Sequence, residues 1–208
     1  IHKREIGDKC FEMVSSSPLI GKEQSPRFRV KDEFDNVLAE NWIWPREDPV
    51  WRWETYMNPI LYFSPDCSKF VNATLRNCGI IETFSFPGLE RIACKEYFVP
   101  EFTTKATTTG YSIKYKHERN GFIDICTTDS EIWAIWDGAT DWSVPDEERP
   151  YPTKNTIAVF DWDLNLKRTI KLDCNVINLA YDESSNVLYL VALSKAGDSY
   201  LGRIFLDK

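Results

Sequence analysis

The stretch Ile177-Asn178-Leu179-Ala180-Tyr181-Asp182-Glu183-Ser184-Ser185-Asn186-Val187-Leu188-Tyr189-Leu190 decides the fold class. Two apolar runs flank a polar turn built on Asp and Ser, the pattern of a β-hairpin. The pattern occurs twice more upstream, as Ile60-Leu61-Tyr62-Phe63-Ser64-Pro65-Asp66-Cys67-Ser68-Lys69-Phe70-Val71 and as Ile123-Asp124-Ile125-Cys126-Thr127-Thr128-Asp129-Ser130-Glu131-Ile132-Trp133. Three copies of one hairpin, each followed by more strand-like sequence, form an internal repeat.

A second hairpin type interleaves with the first. Phe28 to Glu40, Ile80 to Ile92 and Ile157 to Ile170 each read as an alternating strand, a short polar turn and another alternating strand, and a fourth copy runs from Tyr200 to Leu206 and stops after one strand. One hairpin of each type makes a four-stranded unit of roughly 45 residues, the size of a propeller blade. The expectation is therefore an all-β chain: β-propeller blades of four antiparallel strands, beginning near residues 58, 121 and 175, with about three and a half blades present as part of a six-bladed ring. Residues up to Glu40 are expected to be the outer half of an earlier blade, and the last blade to end after its third strand.

With 208 residues, 43% apolar and 14% aromatic, the chain can bury a sizeable core. Its net charge of -7, without a cluster of Lys and Arg, argues against a nucleic-acid partner, and none is expected. No apolar run approaches the ~18 residues of a membrane-spanning helix. The opening residues Ile1-His2-Lys3-Arg4-Glu5 are neither a signal peptide nor a start Met, so residues 1–208 are expected to be a single domain forming the C-terminal portion of a longer chain. Cys10, Cys67, Cys78, Cys94, Cys126 and Cys174 show neither a CxxC pair nor a zinc-type Cys/His spacing. They read as small buried apolar side chains with room for one disulfide, and no metal or other cofactor is expected.

Two long loops, 41–57 and 137–155, carry the candidate site, because loops beyond about 12 to 15 residues are often functional. The first holds Trp42, Trp44, Trp51, Trp53 and Tyr56. Their faces could stack on sugar rings or cations; the alternative is that they pack between blades. The second gathers Asp137, Asp141, Trp142 and Tyr151. It lacks the EF-hand order, so its carboxylates read either as ligand contacts or as a solvated acidic loop, and a glycosidase pair could also be drawn from it. The chain has only two histidines, His2 and His117, and no Gly-x-Ser-x-Gly elbow. Nucleophilic catalysis would rest on His117, which reads as part of an exposed charged strand end, and no catalytic residue is assigned. Asn72-Ala73-Thr74 matches a glycosylation acceptor. The inner runs are apolar except for Asp124 and Asn178, which favours a packed channel over an active site.

The run from Ile157 to Lys167, with Asp161-Trp162 inside it, and the turn Asp182-Glu183-Ser184-Ser185-Asn186 resemble the TolB-like six-bladed propeller proteins exported by Gram-negative gut bacteria. The resemblance covers residues 58–208. It implies an exported protein of the periplasm or outer-membrane surface, touching the membrane only through a lipid anchor absent from this chain, and it supplies no catalytic residues. Combined with the loops, it implies a non-enzymatic binding or scaffold protein of the cell envelope that contacts a glycan or peptide through aromatic and acidic loops. The alternatives are a propeller-type glycoside hydrolase or lyase using loop carboxylates, and a purely structural interaction module.

Overall fold

The computed structural model describes residues 2–14, 26–44, 59–108, 110–138, 141–142, 144–145, 148 and 151–206. Its first sheet is β1 (His2–Ile6), β2 (Lys9–Met13), β3 (Phe28–Asp32) and β4 (Val37–Asn41); the second is β5 (Pro59–Phe63), β6 (Lys69–Thr74), β7 (Gly79–Ser85) and β8 (Arg91–Phe98). A lone hairpin of β9 (Phe102–Thr107) and β10 (Gly110–Tyr115) follows. The third sheet is β11 (Phe122–Thr127), β12 (Glu131–Trp136), β13 (Thr156–Asp161) and β14 (Leu166–Lys171). The fourth has three strands, β15 (Asn175–Asp182), β16 (Val187–Leu193) and β17 (Ser199–Phe205). All strands pair antiparallel with their sequence neighbours, so the chain is a series of propeller blades.

The interleaved hairpins stand where the repeat places them, with one correction at the N-terminus. Residues up to Asn41 make a whole blade, because β1 and β2 close through the two-residue turn Gly7-Asp8, with Ile6 opposite Lys9 and Gly7 at φ 60°. Glycine supplies that backbone angle without steric cost. β1 carries Lys3, Arg4 and Glu5 in place of apolar alternation. β9 hides for the same reason, since five of its six residues are exposed.

Successive side chains of a strand point to opposite faces, and here both faces meet a neighbouring blade. In the second blade Phe70 and Phe84 meet Phe11, Phe28 and Val30 of the first, while Val71, Ala73 and Ile81 meet Phe122, Ile132 and Ala134 of the third. The third blade repeats the division, turning Trp133, Ile135, Ile157 and Val159 onto Val176, Leu179, Leu188 and Leu190 of the fourth.

The turns obey the same division. Asp32 and Asp161 each accept from the backbone N–H of Asn36 and Asn165, and the residue before each Asn has positive φ: Asp35 at 63° and Leu164 at 61°. Leu164 is buried against the second blade, whereas Asp35 is exposed on the first sheet. That sheet carries a ladder of ion pairs, Lys3–Glu12 at 2.9 Å, Lys31–Glu12 at 3.3 Å and Arg29–Glu40 at 2.8 Å. The fourth blade's outward face is apolar, with Leu201 and Phe205 exposed at 76% and 66%.

A buried ion pair fastens the first two blades. Glu82 on β7 is fully buried and accepts from the guanidinium of Arg27, which also lies 4.8 Å from the Phe28 ring centroid and 5.5 Å from that of Phe84. Arg91 approaches the other Glu82 oxygen at 3.5 Å, and the Asn41 side-chain amide donates to the Leu89 carbonyl at 2.8 Å. All six cysteines are free thiols, and burial raises Cys94 to about 11 and Cys126 to about 12, so both are inert. Asn72 is buried on β6 and cannot accept a glycan in the folded chain.

Glu82→Ala removes the carboxylate that balances Arg27 in a water-free setting and should cost about 3–5 kcal/mol in urea unfolding, against about 1 kcal/mol or less for the half-exposed Arg91→Ala. Equal effects of the two changes would contradict the fastening role. Asp66 and Asp182 are held down to about 2 from 3.8, chiefly by the Ser64 and Ser185 hydroxyls respectively. A depressed carboxyl stabilises the fold above its unfolded value, and that contribution is lost as pH falls from 3.8 towards 2. Replacing both by Asn should flatten the acid limb of stability in that window; an unchanged limb would contradict the turn geometry.

Candidate functional site

The acidic loop is braced into the fold. Asp137, on leaving β12, is buried and accepts from the Asn120 side-chain amide at 3.1 Å and the Trp142 indole N–H at 3.0 Å. Asp141 pairs with His117 Nδ1 at 2.7 Å and accepts from the Glu118 backbone N–H at 3.3 Å. The Lys154 ammonium covers the Trp142 ring at 4.9 Å, and the Tyr151 hydroxyl donates to the Leu193 carbonyl at 3.1 Å. His117 is thus a half-exposed anchor for this loop, joined to Asp141 instead of standing at a free strand end. A hollow of about 130 Å³ lies beside it, lined in part by Arg119, Glu101 and Asn77.

The aromatic loop is only partly in view. Trp42 follows β4, is 47% exposed, and donates its indole N–H to Glu40 at 3.3 Å. Trp44 lies with its ring centroid 5.5 Å from the Arg27 guanidinium, part of the fastening between the first two blades. Trp51, Trp53 and Tyr56 lie outside the described residues. The structure therefore groups Asp137, Asp141 and Trp142 on the third blade and sets Trp42 and Trp44 apart on the first.

A different cleft collects recognition chemistry. The first strands of the second, third and fourth blades, β5, β11 and β15, lie side by side. Register shifts between Phe122 and Ile125 in β11, and between Val176 and Asn178 in β15, interrupt their ladders at one level. Such bulges re-aim side chains. Asp124, almost fully buried there, accepts from the Tyr62 hydroxyl at 3.3 Å, the Asn178 amide at 3.2 Å and the Leu179 backbone N–H at 3.0 Å, so three blades share one carboxylate. Three donors offset the cost of burying its charge. Burial, and then the Asp124 charge, raise the Tyr62 phenol above its usual value.

Tyr62 and Asp124 are at the edge of a cleft of about 410 Å³ between the first two blades, walled by Phe11, Met13, Ile60 and Leu61 and flanked by Lys3 and Arg4. Lys3 is taken by Glu12, while the Arg4 guanidinium lies 4.9 Å from the Phe63 ring centroid. Among the described residues no group of three or more His, Cys, Asp or Glu is placed to hold a metal ion. The cleft offers a cation, a fixed hydroxyl and an apolar wall.

Fold and cleft together define a β-propeller-type chain with a pocket at its inner strands. No protein-family model and no curated protein matches the sequence. Among solved structures it is similar to the computationally designed Ika8 protein, with a TM-score of 0.42 and 10% identity over 97% of this chain and 57% of that one. It is also similar to the Dos1 propeller, with a TM-score of 0.38 and 13% identity over 72% of this chain and 36% of that one. The chain thus spans less than two thirds of either structure.

Asp124→Asn should lower the Tyr62 phenol towards its ordinary 10.0, because the charge opposing the phenolate is gone, and should destabilise the fold by about 1–3 kcal/mol through the unmatched donors left behind. Tyrosine-labelled NMR titration reads the first effect and urea unfolding the second. A Tyr62 titration that does not move would contradict the three-blade hydrogen-bond chain.

Proposed function

We propose that this protein is a non-enzymatic binding module whose ligand, a glycan or a peptide, docks in the inner cleft between the first two blades. One observation carries the reading: a mainly apolar cleft of small-ligand size has its polar edge, Tyr62 on Asp124, locked by hydrogen bonds from three blades. Binding pockets combine apolar walls with a few polar groups held in place before the ligand arrives. The TolB-like resemblance adds a setting to the proposal, an exported protein of the cell envelope.

One feature weighs against the hydrolase or lyase alternative. Glycoside hydrolysis needs one carboxyl free to hand over a proton and a second facing the same bond. Asp124, Asp137 and Asp141 each accept two or more hydrogen bonds that tie loops or blades together. The exposed Trp42 keeps an aromatic platform as a second contact surface, on the other side of the first blade's strands from β1.

Arrayed glycans and peptides test the proposal directly. A hit should lose at least about tenfold in affinity with Tyr62→Ala and keep it with Trp42→Ala, each variant being checked for an unchanged fold by circular dichroism. The reverse pattern would move binding to the loops, and release of a cleaved product from a bound glycan would establish the enzyme alternative.

A further inference from the structure

Resting on the binding reading, we propose that the inner cleft recognises the C-terminal end of a peptide: its free carboxylate, its last amide N–H and an apolar final side chain. Each part answers one feature of the cleft. Arg4 is exposed, lies over the Phe63 ring, and has no carboxylate partner among the described residues, while neighbouring Lys3 is held by Glu12 at 2.9 Å. A guanidinium stacked on an aromatic ring keeps its planar fork of donors, which matches a carboxylate in two-point geometry.

The Tyr62 hydroxyl gives its proton to Asp124 at 3.3 Å and is left with lone pairs, so towards the cleft it accepts, and it calls for an N–H or O–H on the ligand. Both Asp124 oxygens are engaged inside the fold, Oδ1 by Tyr62 and Oδ2 by Asn178 and Leu179, so neither is left over for the ligand. Phe11, Met13 and Ile60 supply the apolar wall.

An anion, a donor and an apolar body meet within a few bonds in the last residue of a peptide. A neutral sugar brings donors without the charge. A bare phosphate brings charge without the apolar body. Met in the wall adapts to differing side chains, so the cleft should require an apolar last residue without demanding one particular kind.

Calorimetry with N-acetyl-alanyl-phenylalanine, as the free acid and as its C-terminal amide, tests this. The acid should bind at least about tenfold more tightly than the amide; Arg4→Gln should bring the acid down to the level of the amide, and Tyr62→Phe should weaken both alike. Arg4 is exposed, so an unchanged melting curve for Arg4→Gln shows that the loss is one of recognition. Equal binding of acid and amide, or an acid indifferent to Arg4→Gln, overturns the proposal. Binding of neither probe also overturns it: an array ligand still blocked by Tyr62→Ala would then leave the binding reading standing, and no such ligand would remove both.

Discussion

The structure depends on the two-sided burial of each middle blade. A strand inside such a blade must give alternate residues to two different neighbours, and β6 and β7 show the consequence residue by residue. Phe70, Glu82 and Phe84 turn towards the first blade, whereas Val71, Ile81 and Thr83 turn towards the third, where the Thr83 hydroxyl donates to the Trp162 carbonyl at 2.9 Å. A slip of one residue would exchange the two sets and put Glu82 where Ile81 packs. Register, inter-blade packing and the Arg27–Glu82 fastening are therefore one constraint.

The same stacking makes the cleft. With sheets laid face to face, β5, β11 and β15 come side by side without a ladder between them, and side chains must join them. Asp124 does so at one level, and at another the Thr127 hydroxyl donates to the Phe63 carbonyl at 2.7 Å. Where the first blade meets the second at this inner edge, the short charged strand β1 packs less completely. The space left between Arg4, Phe11 and Tyr62 is the proposed recognition site.

Much of this was legible in the sequence. Both hairpin types, the three-stranded last blade and the loop between β12 and β13 follow from alternation and turn residues. Asp124 and Asn178 stood out as polar positions in apolar inner runs, each four residues ahead of a turn residue, Thr128 and Asp182. Their meeting was not legible, because it needs the spacing between adjacent blades, 54 residues along the chain. Nor was β1, whose exposed Lys3-Arg4-Glu5 run breaks the apolar alternation and leaves Ile6 to pack against the core. A Gly-Asp dipeptide between two short runs was the available signal for that hairpin. The surroundings of the loop carboxylates were not legible either: composition reveals that Asp137 and Asp141 exist, but not that Trp142, Asn120 and His117 are hydrogen-bonded to them.

Amide chemical-shift mapping on the isotope-labelled protein, titrated with whichever arrayed ligand it retains, locates the site without mutation. Binding in the inner cleft requires the shifts to concentrate in β1, β5 and the Asp124 stretch of β11, with β17 silent. Shifts confined to residues 42–44 and 137–155, with β1 and β5 unmoved, would contradict it and restore the loops as the binding surface.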